Sequence, residues 1–429
     1  MKNTLFTFKS ALVFAGIIAA FGAGFLYGGK PEVSGKPTDY NPLERNTHTI
    51  RTAVNWQDLS GLRKDNLTLA LPALTRSCEV FLKRPPNIPY GQGENTLGTA
   101  EDWWPFCTAL KAQSQLADVS EVSIYSLLET HLQPYLLEKK NPYLAPVLSP
   151  FGLGGVGAKS QGLFTGYYEP EIKGSMERTE TYSVPLYGLP DDHLTAQLGD
   201  FYPEMAGKKV TARAENGRLK PYHTRAEIDT GVIGPENILL WLQDPVDKFF
   251  LQIQGSGRVI LPDGSQVFAG YAGVNGHPYT AIGRYLVQEG YMDLDDVSMQ
   301  SIRQWLEANP DKRQKVLHQN ESYVFFTLRP DGPYGTQGVL LTPNRSLAVD
   351  RRAVPLGTPV FLKTDVTATS KPFEKLMVAQ DTGGAIKGVI RGDIYFGHGS
   401  EAAYLAGKQK SDGQLFMLLP KEISVTNNQ

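Results

Sequence analysis

The 429-residue sequence contains only two cysteines, Cys78 and Cys107. There is no CxxC pair, and no Cys/His spacing of the kind that holds a structural zinc. A Walker loop, a glycine-rich dinucleotide fingerprint, a nucleophile elbow and a zincin helix are all missing. No nucleotide or metal cofactor is therefore expected. Charge is also balanced: the formal net charge is −2, with no long run of one sign. That leaves no electrostatic footprint for nucleic acid. Internal repeats and low-complexity tracts are absent too.

What is present points to an exported, turn-rich chain. The 43 glycines and 29 prolines are somewhat above average and suit many short strands joined by tight turns. Lys2 and Lys9 precede an apolar run from Ala11 to Tyr27, and Lys30 closes it. This is the pattern of an export signal. Residues 1–30 read as a cleaved signal peptide or a retained anchor, with membrane attachment through 11–27, and residues 31–44 as a linker. No cysteine follows the run, so a lipoprotein anchor is not expected. Either reading puts the rest of the protein outside the cytoplasm. In that compartment the two cysteines suggest a disulfide between Cys78 and Cys107; two free buried thiols are the alternative.

Helical signals come first. Apolar spacing suggests a helix from about Asp58 to Pro85, a second over Asp102–Leu116 and a third over Glu121–Glu138. From Leu163 the texture changes to short strands, expected at Phe249–Gln254, Val267–Tyr271, Tyr323–Leu328, Gly338–Leu341, Pro359–Leu362, Leu376–Ala379 and Ile386–Ile390. Helices interrupt at Ala281–Gly290 and Met299–Ala308.

Four segments could carry chemistry. Phe164-Thr165-Gly166-Tyr167-Tyr168-Glu169-Pro170 sets hydroxyls and rings beside a turn. Within Phe249 to Gly257, strand alternation would put Gln252, Gln254 and Ser256 on one face. Amides and hydroxyls near rings such as Tyr271 suit sugars, whose edges are polar and faces apolar. The third segment surrounds Asp350. The fourth holds Asp381 and Asp393, which a strand–turn–strand hairpin would bring to one sheet end. Two carboxylates in one cleft repel, and burial also disfavours charge. Either effect keeps one protonated near neutrality, and a protonated carboxylic acid is what glycosidic cleavage needs at the leaving oxygen. Aspartates beside glycine also cap turns for purely structural reasons. Asp381-Thr382-Gly383 and Asp229-Thr230-Gly231 match the aspartic-protease core, but Asp229 follows a charged stretch rather than a buried strand.

Together these segments resemble the membrane-bound lytic murein transglycosylase A family. The resemblance rests on Phe164–Pro170, on Phe250–Gly257 with Gly270-Tyr271, and on three aspartates in context: Val349-Asp350-Arg351-Arg352, Asp381-x-Gly-Gly-Ala-Ile-Lys-Gly and Asp393-Ile-Tyr-x-Gly. It implies a mainly β protein with N-terminal helices. A double-psi β-barrel core (45–170 and 331–420) would carry a second, inserted β domain (171–330), with the substrate cleft between them. It also implies an exo-type, non-hydrolytic cleavage of the β-1,4 bond between N-acetylmuramic acid and N-acetylglucosamine in peptidoglycan, leaving 1,6-anhydromuramic acid ends. Asp393 would be the catalytic acid, Asp381 and Asp350 its supports, and Thr165 and Tyr168 cleft residues. The expected partner is the glycan strand, bound by a monomer. The alternatives are a two-carboxylate hydrolase and a non-catalytic, expansin-like wall binder.

Overall fold

In the computed structural model, which describes residues 49–91, 96–139, 158–205, 208–423 and 425, six strands close a barrel. In chain order they are β1 (Gly162–Glu169), β2 (Ser346–Val349), β3 (Pro359–Val366), β4 (Lys371–Asp381), β5 (Arg391–His398) and β6 (Lys410–Pro420). Around the ring the order is β6-β3-β4-β2-β5-β1, and β6 pairs back onto β1 with Lys410 opposite Thr165. The pair β2–β4 is parallel, while β2–β5, β3–β4 and β3–β6 are antiparallel.

Sequence explains the ring. Val360-Phe361-Leu362, Leu376 to Ala379 and Leu415 to Leu419 are continuous apolar runs, and all of these residues are fully or almost fully buried. Such runs require cover on both faces. The outer cover includes the helices Leu71–Lys83 and Trp104–Ser114; their Phe81 and Phe106, with Trp103 at the cap of the second, join the barrel residues in one hydrophobic cluster. Phe81 and Trp103 stack at 4.8 Å. Cys78 and Cys107 form a disulfide between these two helices. The Arg345 guanidinium, at the entry to β2, is buried and donates to both oxygens of the buried Asp65 at 2.5 and 2.8 Å. Leu376 N of β4 donates to the same carboxylate at 2.8 Å.

The chain divides into two compact units. The barrel and helices belong to one. The other runs from Glu169 to Pro333. It contains a six-stranded sheet, ordered Val324–Arg329, Gln266–Val274, Gly257–Ile260, Glu171–Ser175, Ile238–Leu242, Val184–Tyr187, and a three-stranded sheet of His193–Gln197, Lys209–Glu215 and Arg218–Pro221.

Several expected elements differ. The first helical stretch breaks into short 3-10 turns before the helix begins at Leu71. The third helix stops at His131, and Leu132–Lys139 is a strand paired with Thr49–Ala53 and β6. Pro134 explains this, because it drives the residue before it out of helical geometry. Phe249–Gln254 is not a strand but the end of the helix Pro245–Gln254. Asp244 caps it through Val246 N, Pro245 sits at its first turn, and Gly255 ends it at φ +78. Ile386–Ile390 and Gly338–Leu341 are loop. The residues 1–30 and 31–44, including the apolar run, lie outside the described residues. Among those described, no helix is long and apolar enough to cross a membrane.

Candidate functional site

The expected Asp381–Asp393 hairpin is replaced by a different arrangement. Strand β2 lies between their two strands. Ala348 of β2 is in register with Asp381 of β4 on one side and with Asp393 of β5 on the other. Two strand spacings, about 10 Å in the sheet, therefore separate the two backbones. The reason is non-local: the loop 382–390 carries the chain past β2 instead of turning back beside β4.

Strand β1 serves both acids. Alternation puts Thr165 and Tyr167 on one face. The Thr165 hydroxyl donates to Asp393 Oδ1. The Tyr167 hydroxyl donates to Asp381 Oδ2 at 3.0 Å. The strand can approach this closely because it carries glycine where other chain crosses it. A Cβ on Gly162 would meet Ile390 O at 1.8 Å, and one on Gly166 would meet the Phe396 ring at 2.4 Å.

Asp393 is partly buried. Burial pushes its carboxyl above the usual carboxylate range; Arg391 and the Thr165 hydroxyl oppose this, and Asp381 adds to it. Asp381 is also raised by burial, against its donors. Those donors are Thr336 N and Oγ1, both at 2.9 Å, and Thr382 N at 2.8 Å, all on Oδ1, together with Tyr167 on Oδ2. Tyr167 itself is pushed far above a normal phenol, by burial first and then by the two carboxylates. It therefore stays protonated and remains a donor.

Asp350 has a different character. It is buried, which opposes ionisation, yet its carboxyl is held low by Arg352 and by the backbone N–H groups of Gly388 and Arg352. Arg352 donates from Nε at 2.9 Å and Nη2 at 2.6 Å, and Gly388 N donates at 2.9 Å. Asp350 thus anchors the loop that joins Asp381 to Asp393. Next to Asp381, the buried Gln380 amide donates to Ala73 O and Ser77 Oγ and accepts from Ser346 Oγ.

Of the remaining candidates, Tyr168 is on β1 and the others belong to the second unit, Glu169–Pro333. Tyr168 is on the opposite face of β1 from Thr165 by alternation and packs against the hydrophobic core. Gln252 is buried in its helix; its amide accepts from Arg225 and donates to Val324 O at 3.1 Å. Gln254 shares that helix and Ser256 follows its cap, so the single polar strand face expected for the three does not exist. Tyr271, on Gln266–Val274, is 51% exposed. Asp229 ends a short helix, where burial opposes ionisation but His318 and Lys248 hold its carboxyl down at about 2. Its salt bridge to Lys248 Nζ is 2.7 Å, a structural role unlike that of Asp381.

Arg391 and Thr336 were assigned no role from sequence. Arg391 could have been found, because it stands two residues before Asp393 in a strand and so shares its face. Thr336 offered no such signal. Among the described residues, no group of three or more His, Cys, Asp or Glu side chains is placed to hold a metal ion.

Comparison with known proteins adds a family context. Residues 163–327 match the MltA specific insert domain, and residues 345–419 match the 3D domain. The chain is similar to membrane-bound lytic murein transglycosylase A of Escherichia coli (strain K12), at 35% identity over 263 residues, covering 59% of this chain and 65% of that protein. The match thus spans just under two thirds of the E. coli protein. It is similar also to the protein of that name from Vibrio cholerae, at 30% identity over 72% of this chain and 81% of that one. A crystal structure of MltA from Neisseria gonorrhoeae superposes with a TM-score of 0.73, at 32% identity, covering 89% of this chain and 95% of that one.

Proposed function

We propose a chemistry for Asp393 from the premise that the chain belongs to the membrane-bound lytic murein transglycosylase A family. The chain is a lytic transglycosylase of peptidoglycan. It cleaves the β-1,4 bond between N-acetylmuramic acid and N-acetylglucosamine and leaves a 1,6-anhydromuramic acid end.

The observation that carries this reading is the state of Asp393, a partly buried carboxyl raised by its surroundings and held by a hydroxyl donor. A carboxyl that keeps its proton towards neutrality can protonate the leaving oxygen. As a carboxylate it can then take the proton from the muramoyl 6-hydroxyl, which attacks C1 and closes the anhydro ring. One residue serves both steps because the nucleophile belongs to the substrate. Acid–base help of this kind gives about 10²–10⁴-fold. Positioning and stabilisation of the oxocarbenium-like state would supply the rest.

A two-carboxylate hydrolase is the weaker reading. Asp381 is the nearest candidate to activate water, but its oxygens already receive Thr336, Thr382 and Tyr167. Its role in the proposal is electrostatic: as a carboxylate it raises Asp393. Asp350 holds the intervening loop. Tyr271, half exposed, is a candidate for stacking on a sugar face. The catalytic part is assigned to 45–170 and 331–420, the inserted part to 171–330, and residues 1–30 to export or anchoring in the cell envelope.

The test is mass spectrometry of products from purified sacculi. Muropeptides lighter by one water than hydrolysis products would support the transglycosylase. Ordinary reducing ends would replace it with a hydrolase.

A further inference from the structure

We propose that Arg391 is a positioning residue that, through Thr165, dictates which oxygen of Asp393 carries the acid's proton. This rests on the reading of Asp393 as the catalytic acid.

The argument is one of donor and acceptor counting. Arg391 Nη2 donates to Thr165 Oγ1 at 2.9 Å. A guanidinium has donors only, so Oγ1 must accept there. A threonine hydroxyl has a single proton, and the Thr165 proton is directed to Asp393 Oδ1. Oδ1 is therefore an acceptor in both states of the acid. A proton on Oδ1 would fill the remaining lone pair of Oγ1 and leave the Thr165 proton with no acceptor in this contact. When Asp393 is protonated, the proton sits on Oδ2. The acid then presents one fixed O–H and does not interconvert between two.

The relay is stiff because Arg391 cannot easily turn. It is buried, and its Nη1 donates to Leu163 O at 3.3 Å and to Gly392 O. Leu163 belongs to β1 and Gly392 to β5, so the guanidinium also pins the strand of Thr165 to the strand of Asp393. Thr165 is itself only 3% exposed, which keeps bulk water from competing for its hydroxyl. Among the described residues, the charged or titratable groups around the acid include Arg391 and Tyr395 on its own strand, Asp381 from β4 and Tyr167 from β1, whose ring lies 5.3 Å from that of Tyr395. Lys410 of β6 lies opposite Thr165.

The test uses the full chain on purified glycan strands and compares Thr165→Val, Thr165→Ser, Arg391→Gln and the Val/Gln double variant. Removing the Thr165 donor takes away a hydrogen bond that favours the carboxylate. The alkaline limb of kcat/KM should then move to higher pH, while kcat falls about tenfold or more, the size of a hydrogen bond to a charged group. Thr165→Ser should restore both. Arg391→Gln should move the limb further, since its charge is lost too, and the losses in the double variant should be clearly less than the sum of those in the two single variants. Should Arg391→Gln fail to fold, as judged by thermal unfolding, Thr165→Val and its serine rescue carry the test. A limb unmoved in folded Thr165→Val, or independent additive losses in the double variant, would overturn the proposal. Asp393→Asn, run in parallel, separates the two levels. If it is inactive while the limbs stay put, only the relay fails; if it is active, the assignment of the acid fails and the relay with it.

Discussion

The Tyr167 hydroxyl donates to Asp381 Oδ2 across the barrel, from β1 to β4, strands three places apart in a ring of six. Two places along the same strand, Thr165 holds Asp393. A single strand thus sets the environment of both acids, and the behaviour of one is tied to the other.

Asp381→Asn tests that coupling. The Asp381 carboxylate raises Asp393. Without its charge, Asp393 should lose its proton at lower pH, and the alkaline limb of kcat/KM should move down. Tyr167→Phe should act in the same direction but less, because loss of the phenol donor leaves Asp381 neutral over a wider range. An upward or absent shift in Asp381→Asn would show that the two groups do not communicate.

Asp393→Asn should abolish lysis of sacculi, by at least about 10²-fold, with binding to the wall retained in a pull-down. The same variant should be more stable than wild type near pH 7. The folded-state carboxyl is raised, so the stability tied to its protonated form is present below the ordinary carboxylate range and is lost as pH rises through the raised value. An amide avoids that loss, and the advantage should fade in thermal melts at pH 4.

Asp350 has the opposite sign. Its folded carboxyl is depressed, so its contribution is present above the unfolded value and disappears as pH falls through the folded one. Asp350→Asn should be destabilised at pH 7 and nearly indistinguishable from wild type under strongly acid conditions. Equal destabilisation at both pH values would point to packing and not to charge.

Asp65→Ala should be among the most damaging changes away from the site. It strands the buried Arg345 guanidinium and the Leu376 N–H. A loss of about 3–5 kcal/mol is expected in denaturant titrations. Asp65 and Arg345 replaced together by apolar residues of similar volume should recover much of it.

Reduction of Cys78–Cys107, which are 29 residues apart, should cost about 3–4 kcal/mol on the chain-entropy account. Melting with and without reductant measures it.

Much of this was legible in the chain, in the places where local signals decide. Asp381 and Asp393 stood out because each closes or opens an apolar run beside glycine. The Met299–Ala308 helix followed directly from its spacing. Two kinds of information were not accessible in the same way. One is non-local: nothing beside Asp381 says that β2, from more than thirty residues earlier, will slide between it and Asp393. The other was present but outweighed. Around Gln252, polar residues at alternate positions suggested a strand, while Asp244, Pro245 and Gly255 marked a helix at both ends. Capping residues were the better guide, because they satisfy backbone groups that alternation ignores.

The closure of the ring by β6 has a consequence for biosynthesis. Lys410 must find Thr165 across almost 250 residues of chain, a contact of very high sequence separation and so slow to form. Until β5 and β6 have emerged and docked, β1 is an open edge, and the hydroxyl that holds the acid faces nothing. On the proposed function, cleavage is therefore withheld until the last barrel strand is in place.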